Sequence, residues 1–412
     1  MRVVLAVVAI AAGLAASASV GASTPQSLIG VRYLGDHDTV VERFDPTSLR
    51  RLGTGRRLGM LSWPWSWSPD RSRIAFAGGK PRQGFTLVVL EAKTLRVVDT
   101  LSGPYRLPVD GSAVALQEIA WLPGNRLVVI TWDEVGATTA HVVDLATRTV
   151  RSSVALEGNM LASGSTARAY VGLLGPSDRI GRARVVALDR DLRVTEVALD
   201  RIRAGTFASM VGGSEEIEAK TRIPALAVDP SGRRAVVVGL GEPIADVDLD
   251  AGTVRYHATP VRAPARAAKS TVGPVLFGTW LSSDAVAVTG TIYGGGNDRG
   301  RQREKPFGVR LLDLATWRMA TVDPDNQMVA LSGPYLVTLR PNRELQWFTH
   351  AGKEAGRLVG IRPITDYAVA GSRALVRLAG ESRVALVDLR TGRVIEHRPR
   401  SERLALPAFL PR

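Results

Sequence analysis

Short apolar runs, each cut off by a tight cluster of Pro, Ser, Gly or Asp and followed by a second apolar run, recur along the chain. The clearest is Trp67-Ser68-Pro69-Asp70-Arg71-Ser72-Arg73-Ile74-Ala75-Phe76, and the same order returns at 119–129 and 227–237. Looser copies lie at 161–171, 280–288, 330–337 and 370–376. Runs of this kind bounded by turn residues predict strands joined as hairpins. A second pattern alternates with the first: a strand, a turn of the type Val387-Asp388-Leu389-Arg390-Thr391-Gly392, and another strand. It stands at 143–150, 247–254, 312–319 and 387–394, with weaker copies at 44–49, 90–95, 188–193 and 348–353. The Asp is read as a turn cap through its own backbone amides, and Gly or another small residue is expected where the turn needs positive φ.

One copy of each pattern makes a four-stranded unit, strands a and b from the first and c and d from the second. The period is roughly 40 to 60 residues, which is that of a propeller blade. A sheet of this size cannot bury its faces alone, whereas packing such units around an axis does so. The second pattern occurs eight times and the first, complete, seven. Both ends of the chain can supply the missing copy, because 27–35 reads as a strand b and 404–411 as a strand a. The expected fold is an all-β propeller of eight four-stranded blades, the C-terminal strand closing the N-terminal blade. Seven blades with an N-terminal hairpin is the alternative. No stretch has the period of a long amphipathic helix.

Trp67-Ser68-Pro69-Asp70 with Ile74-Ala75-Phe76 resembles the repeat of TolB-type and WD40-like bacterial propellers. Asp388-Leu389-Arg390-Thr391-Gly392 resembles the turn shared by YVTN-type and quinoprotein-like propellers. The likeness spans nearly the whole mature chain and is specific for fold. It implies a propeller used to bind proteins, peptides or glycans; a few relatives of that shape are enzymes. The main enzyme alternative is an eight-bladed quinoprotein dehydrogenase or a lyase-type propeller. Against the former, the repeats lack the Trp that family places after the Thr-Gly turn, apart from Trp317 at a shifted position, and there is no vicinal Cys pair.

The N-terminus adds an address. Arg2 gives a positive start, residues 3–16 are uncharged and mostly apolar, and small residues follow at Ala16-Ser17-Ala18 and Val20-Gly21-Ala22. That is the pattern of an export signal cleaved after Ala18 or Ala22, so 1–22 is read as a signal peptide and 23–412 as one propeller domain. The apolar stretch falls short of the about 20 residues a membrane anchor needs. With no Cys in the chain, lipid attachment at a lipobox and disulfides are both excluded. The expected place is outside the cytoplasmic membrane, in periplasm, cell wall or medium.

Charge changes the picture further. A net charge of +14 favours polyanions, although an Ala-, Arg-, Gly- and Val-rich chain is also what a GC-rich genome encodes. In a propeller the b–c and d–a connections leave from one face. The long connections here, 102–114, 200–222, 258–274 and 291–307, all belong to that face. Two are basic: one carries Arg262, Arg266 and Lys269, the other Arg299, Arg301, Arg303 and Lys305 after Gly294-Gly295-Gly296. Arg forks there could grip phosphate or carboxylate, and a solvated loop explains them too. The candidate partner is an envelope or extracellular protein or an anionic glycopolymer; nucleic acid is not expected. Glu215, Glu216 and Glu218 on 200–222 would partly offset the field.

Other chemistry is thin. Trp63, Trp65 and Trp67 share one face of an inner strand, where packing between blades is the commoner use and holding a flat cofactor or sugar the rarer. Asp36-His37-Asp38 could join a metal site but has no second cluster to complete it. Asp323-Pro324-Asp325-Asn326 lacks the spacing and bidentate Glu of a calcium loop. His141, His257, His350 and His397 are read as structural. No Gly-x-Ser-x-Gly elbow and no phosphate-cradling Gly motif occurs. No cofactor and no catalytic residue is assigned.

Overall fold

The computed structural model describes residues 28–33, 39–45, 50–59, 65–80, 84–101, 115–132, 138–191, 193–210, 217–258, 261, 273–293, 305–326, 329–340, 344–358, 363–379, 383–399 and 404–409. Among these there is no helix, and the strands form eight small antiparallel sheets, the blades of an eight-bladed propeller. Strands a to d of blade 2 are Trp65–Trp67, Arg73–Lys80, Gly84–Glu91 and Val97–Leu101. Blade 3 is Ala115–Leu122, Arg126–Trp132, Thr138–Asp144 and Thr149–Leu156. Blade 4 is Asn159–Ser165, Ala169–Gly175, Gly181–Asp189 and Val194–Met210, with Ile217–Arg222 added outside. Blade 5 is Ala225–Val228, Arg234–Val238, Ile244–Asp248 and Thr253–His257. Blade 6 is Val275–Ser282, Ala285–Tyr293, Val309–Asp313 and Met319–Asp323. Blade 7 is Val329–Ser332, Tyr335–Leu339, Leu345–Thr349 and Glu354–Arg357. Blade 8 is Ile364–Ala370, Arg373–Leu378, Arg383–Asp388 and Arg393–Pro399.

Blade 1 closes the ring as the repeat count requires. Its strands b, c and d are Leu28–Tyr33, Thr39–Phe44 and Arg56–Gly59, and its strand a is Leu404–Phe409 from the far end of the chain. The register runs from Leu28↔Phe409 to Arg32↔Leu404 with one irregularity after Gly30. Blade 1 is therefore complete only when both ends meet.

The core is a set of layers, one in each of the eight clefts between blades. Ala75, Val89 and Leu101 of blade 2 meet Trp121, Leu127 and Val143 of blade 3; Val171 and Val185 of blade 4 meet Val237 and Ala245 of blade 5. Central strands b and c bury both faces and therefore read as continuous Val, Ile and Leu runs rather than alternating ones. On the inner strands, side chains bond edge carbonyls that no neighbouring strand pairs. Trp121 Nε1 donates to Ser66 O at 3.1 Å and Ser165 Oγ to Trp121 O at 2.8 Å; Tyr367 OH reaches past the inner strand to Val337 O on central strand b of blade 7, at 3.0 Å. Trp65 and Trp67 pack in the cleft between blades 1 and 2, and Trp63 lies outside the described residues.

The Asp turns behave as expected. Asp144, Asp248, Asp313 and Asp388 each accept two amides from the residues that follow, at 2.7–3.3 Å. The expectation of Gly or small residues at positive φ needs correction, since Leu95, Arg148 and Trp317 take that position with φ of 55–58°. A left-handed residue with a Cβ costs roughly 1–2 kcal/mol, and each offsets it with its side chain. Leu95 packs into the cleft with blade 1, Arg148 pairs with Asp99 of blade 2 at 3.0 Å, and Trp317 stacks on His257 of blade 5.

Candidate functional site: the hairpin-bearing face

Antiparallel pairing sends the b–c and d–a connections out of one end of every sheet, and two of the long ones rise as paired strands rather than as loops. Strand d of blade 4 pairs with strand c as far as Ala204, then continues as 205–210 and pairs with Ile217–Arg222 over six residue pairs, from Gly205↔Arg222 to Met210↔Ile217. Strand b of blade 6 likewise outruns its neighbour: beyond Val288↔Arg310 it pairs with Lys305–Pro306 through Thr291↔Pro306 and Tyr293↔Lys305. The segments 200–222 and 291–307, read from sequence as loops, are in their described parts β-hairpins that extend blades. Both spring from a glycine at positive φ, Gly205 at 143° and Gly290 at 136°. A Cβ at Gly205 would strike the Arg179 carbonyl, and one at Gly290 the Val275 carbonyl. Only glycine fits where each strand swings out of its blade.

The feet of two connections touch. Ile223 N donates to Pro274 O and Leu276 N to Ile223 O, both at 2.8 Å, in a parallel bridge Ile223↔Val275. The acidic hairpin carrying Glu218 and the connection carrying Arg262, Arg266 and Lys269 thus end side by side at the base of blades 5 and 6. Of the candidate basic residues, Lys305 is exposed on the blade 6 hairpin; Arg262, Arg266, Lys269, Arg299, Arg301 and Arg303 lie outside the described residues, as do 102–114 and Asp36-His37-Asp38.

Beneath the blade 4 hairpin sits a carboxylate that the sequence reading missed. Glu242, in the b–c turn of blade 5, is 7% exposed. Its Oε1 accepts from Arg222 Nη2 at 2.7 Å and from the Arg203 amide at 3.2 Å, and Arg222 Nη2 also donates to Leu240 O at 2.8 Å. Burial raises the Glu242 pKa above the ordinary carboxylate range against the pull of Arg222 and Arg203.

A second carboxyl stands in the cleft between blades 3 and 4. Glu118, half-buried on the inner strand of blade 3, accepts from Ser163 Oγ at 2.5 Å and Tyr170 OH at 2.7 Å across the cleft to blade 4. An irregularity between Leu116 and Glu118 inserts Gln117 as an extra residue, so both neighbours reach blade 4. Gln117 Nε2 donates to Met160 O at 2.7 Å. Burial pushes the Glu118 carboxyl up to about 7, against the two hydroxyl donors, a value suited to proton transfer near neutrality. The one signal in the sequence was a Gln-Glu pair inside an otherwise apolar inner strand.

The remaining candidates serve the fold. Asp323 is 1% exposed, accepts the Asp325 amide at 2.9 Å and Asn326 Nδ2 at 2.6 Å, and lies 3.5 Å from Arg340 Nε, so it caps a turn beside a guanidinium. No group of three metal-ligating side chains occurs among the described residues. His141 is buried between Thr131 and Ser153, 3.2 and 2.7 Å from its ring nitrogens, and burial takes its pKa down to about 4. The opposite face of the ring, carrying the a–b and c–d turns, is stitched from blade to blade: Arg73 to Asn125 at 2.6 Å, Arg126 to Asp191 at 2.8 Å, Arg168 to Asp250 at 2.5 Å. Part of the basic charge thus works as exposed clamps, each worth little alone.

Comparisons with protein-family models and with curated protein sequences give no match. Solved structures do match. A dihydro-heme d1 dehydrogenase, NirN, superposes with a TM-score of 0.60 at 13% identity, over 96% of this chain and 78% of that one. The computationally designed protein Ika8 gives 0.51 at 12% identity, over 85% and 93%. AztD from Citrobacter koseri gives 0.49 at 11% identity, over 94% and 98%. At such identities the likeness is one of fold, and the fold it shares is the β-propeller.

Proposed function

We propose that this chain is an exported, non-enzymatic propeller that docks an envelope or extracellular protein on its hairpin-bearing face, along the arc of blades 4 to 6. One observation carries the reading. Two of the long connections on that face are built as paired strands anchored in their blades, whereas the a–b and c–d turns opposite are short apart from 45–55 of blade 1. Ordered elaboration confined to one face of a rigid scaffold is how propellers and other repeat folds present binding surfaces. The side-by-side feet of an acidic hairpin and a basic connection favour a partner of mixed charge over a polyanion. Export rests on the N-terminal charge and hydropathy pattern alone.

The two partner classes separate by salt. An anionic glycopolymer held by the basic connections would be lost steeply as salt rises, and a protein docked on mixed charge much less so. Replacing Arg299, Arg301, Arg303 and Lys305 together by Ser should weaken retention on envelope fractions only modestly. Abolished retention would move the reading to the anionic polymer.

A second reading, an enzyme working from that cleft between blades 3 and 4, is favoured by Glu118 and its titration near neutrality. Quinone absorbance or tightly held metal in the purified protein would support it, and Glu118→Gln would then abolish turnover.

A further inference from the structure

The blade 4 hairpin is not free to sit anywhere on blade 5. Its outgoing strand offers the Arg203 amide and its return strand the Arg222 guanidinium, and both converge on Glu242 Oε1. The other oxygen, Oε2, is buried without a partner and lies against the backbone of Gly239, where a Cβ would occupy its place. Arg222 Nε is buried without a partner too. The carboxylate is thus held by one oxygen and stripped of water at the other, an arrangement in which desolvation can exceed the attraction between the charges. Among the described residues, the charged groups that face Glu242 are Arg222 from the return strand and Arg203 from the outgoing strand. From the connection after blade 5, Gly241 N donates to Val261 O at 3.0 Å.

We infer that Glu242, Arg222 and the Arg203 amide form a proton-sensitive clasp that sets how firmly the 205–222 hairpin is seated on blade 5, acid seating it and alkali loosening it. The sign follows from linkage. Seated, Glu242 is buried and its pKa is raised; with the hairpin lifted, water reaches the turn and the carboxyl returns to the ordinary range. The seated form therefore binds the proton more tightly, and proton uptake favours it. As the pH climbs through the raised value, the seated form carries an ionised carboxylate with one oxygen buried and unpaired, and loses its advantage. Arg222 keeps the Leu240 carbonyl in either state, so protonation does not strand it.

The consequence for binding rests on reading this face as the docking surface: acid would present a rigid hairpin to the partner, alkali a looser one. The clasp itself needs no partner to be tested, so its failure and the failure of that reading are distinct. Amide exchange of the full chain, corrected for intrinsic rate, is compared at about pH 5 and about pH 8 for peptides from Val194–Met210 and Ile217–Arg222, with peptides from Arg373–Leu378 as reference. Protection of the hairpin peptides is expected to fall roughly two- to tenfold at the higher pH, with the reference unchanged. Glu242→Gln, which keeps the shape and the acceptor of the protonated acid, should hold the hairpin at its acid-side protection at both values. Equal protection of the unsubstituted hairpin at the two values, or a pH dependence that persists in Glu242→Gln, would overturn the clasp.

Discussion

The imidazole of His257 lies flat on the indole of Trp317, ring centres 3.5 Å apart and planes 10° from parallel. The pair joins strand d of blade 5 to the c–d turn of blade 6. Arg234 completes it, holding Asp246 at 2.6 and 3.1 Å while its guanidinium lies over Trp317 at 5.4 Å. The relationship generalises. In six of the seven c–d connections where a positive-φ residue is described, that residue faces the blade before it: Leu95, Arg148 and Trp317 with their side chains, and Gly252, Gly352 and Gly392 by leaving room; Gly53 of blade 1, with nothing within 4 Å of where a Cβ would stand, is the exception. At Gly392 the room is taken by Trp347, 3.8 Å from where a Cβ would stand. The turn is an inter-blade socket, filled from one side or from the other.

Trp317→Ala should therefore cost about 2–3 kcal/mol, through the lost stack and the space left against His257. Gly392→Ala should cost about 1 kcal/mol, because its φ of 70° strains a Cβ that meets nothing closer than Trp347. Denaturant midpoints at constant m-value measure both. A Gly392→Ala loss as large as that of Trp317→Ala would contradict the socket.

Two buried titrating groups pull stability in opposite directions with pH. Glu118 is raised from 4.5 to about 7, so its contribution falls as pH rises across that range. His141 is lowered from 6.5 to about 4, so its contribution is present above 6.5 and is lost as pH falls to about 4. Each is worth on the order of 3 kcal/mol across its range, and over the shared window the two slopes offset. Urea unfolding of the unsubstituted protein, to whose pH dependence Glu242 and His350 also contribute, is the reference. Glu118→Gln should unmask a stability that rises with pH, and His141→Gln one that falls. Parallel slopes in the two variants would refute this assignment.

Closure of the ring by both chain ends makes a further prediction. Removing residues 400–412 leaves Leu28–Tyr33 as an open inner edge and strips blade 1 to three strands. A loss of more than about 4 kcal/mol is expected, since the ladder from Leu28↔Phe409 to Arg32↔Leu404 is removed and blade 1 is left incomplete. A peptide spanning 400–412 added back should raise the thermal midpoint in a concentration-dependent way. An unchanged midpoint on truncation would place the closing contact elsewhere.

The architecture was legible because local signals repeat. Every Asp turn falls between strands c and d, the first patterns fall between a and b, and the orphan pieces at the two ends pair where the count demanded. The hairpins were not legible as strands. Leu199 is buried, then Asp200 and Arg201 are both exposed before Ile202 and Ala204 are buried again; that slip, where the register shifts, breaks the alternation, so the sequence reads as a loop from Asp200. Nor does spacing reveal what Glu242 and Glu118 touch. Glu242 meets Arg222 and Glu118 meets Tyr170 across blade boundaries, at sequence separations of 20 and 52. Large residues at positive φ escaped notice for a like reason: the contacts that offset Leu95, Arg148 and Trp317 lie one blade back.

The proposed docking face is tested most directly by shortening its hairpin. Replacing residues 207–220 by an Asn-Gly turn keeps the Thr206↔Thr221 pair and leaves Arg203, Arg222 and Glu242 in place. Retention of this variant on envelope fractions is compared with that of Arg73→Ser/Arg168→Ser, which alters the opposite face. The account predicts that the shortened chain folds with an unchanged thermal midpoint and loses at least about tenfold in retention, roughly 1.4 kcal/mol, while the opposite-face variant binds as before. Full retention by the shortened chain, or loss in the Arg73→Ser/Arg168→Ser variant instead, would contradict it.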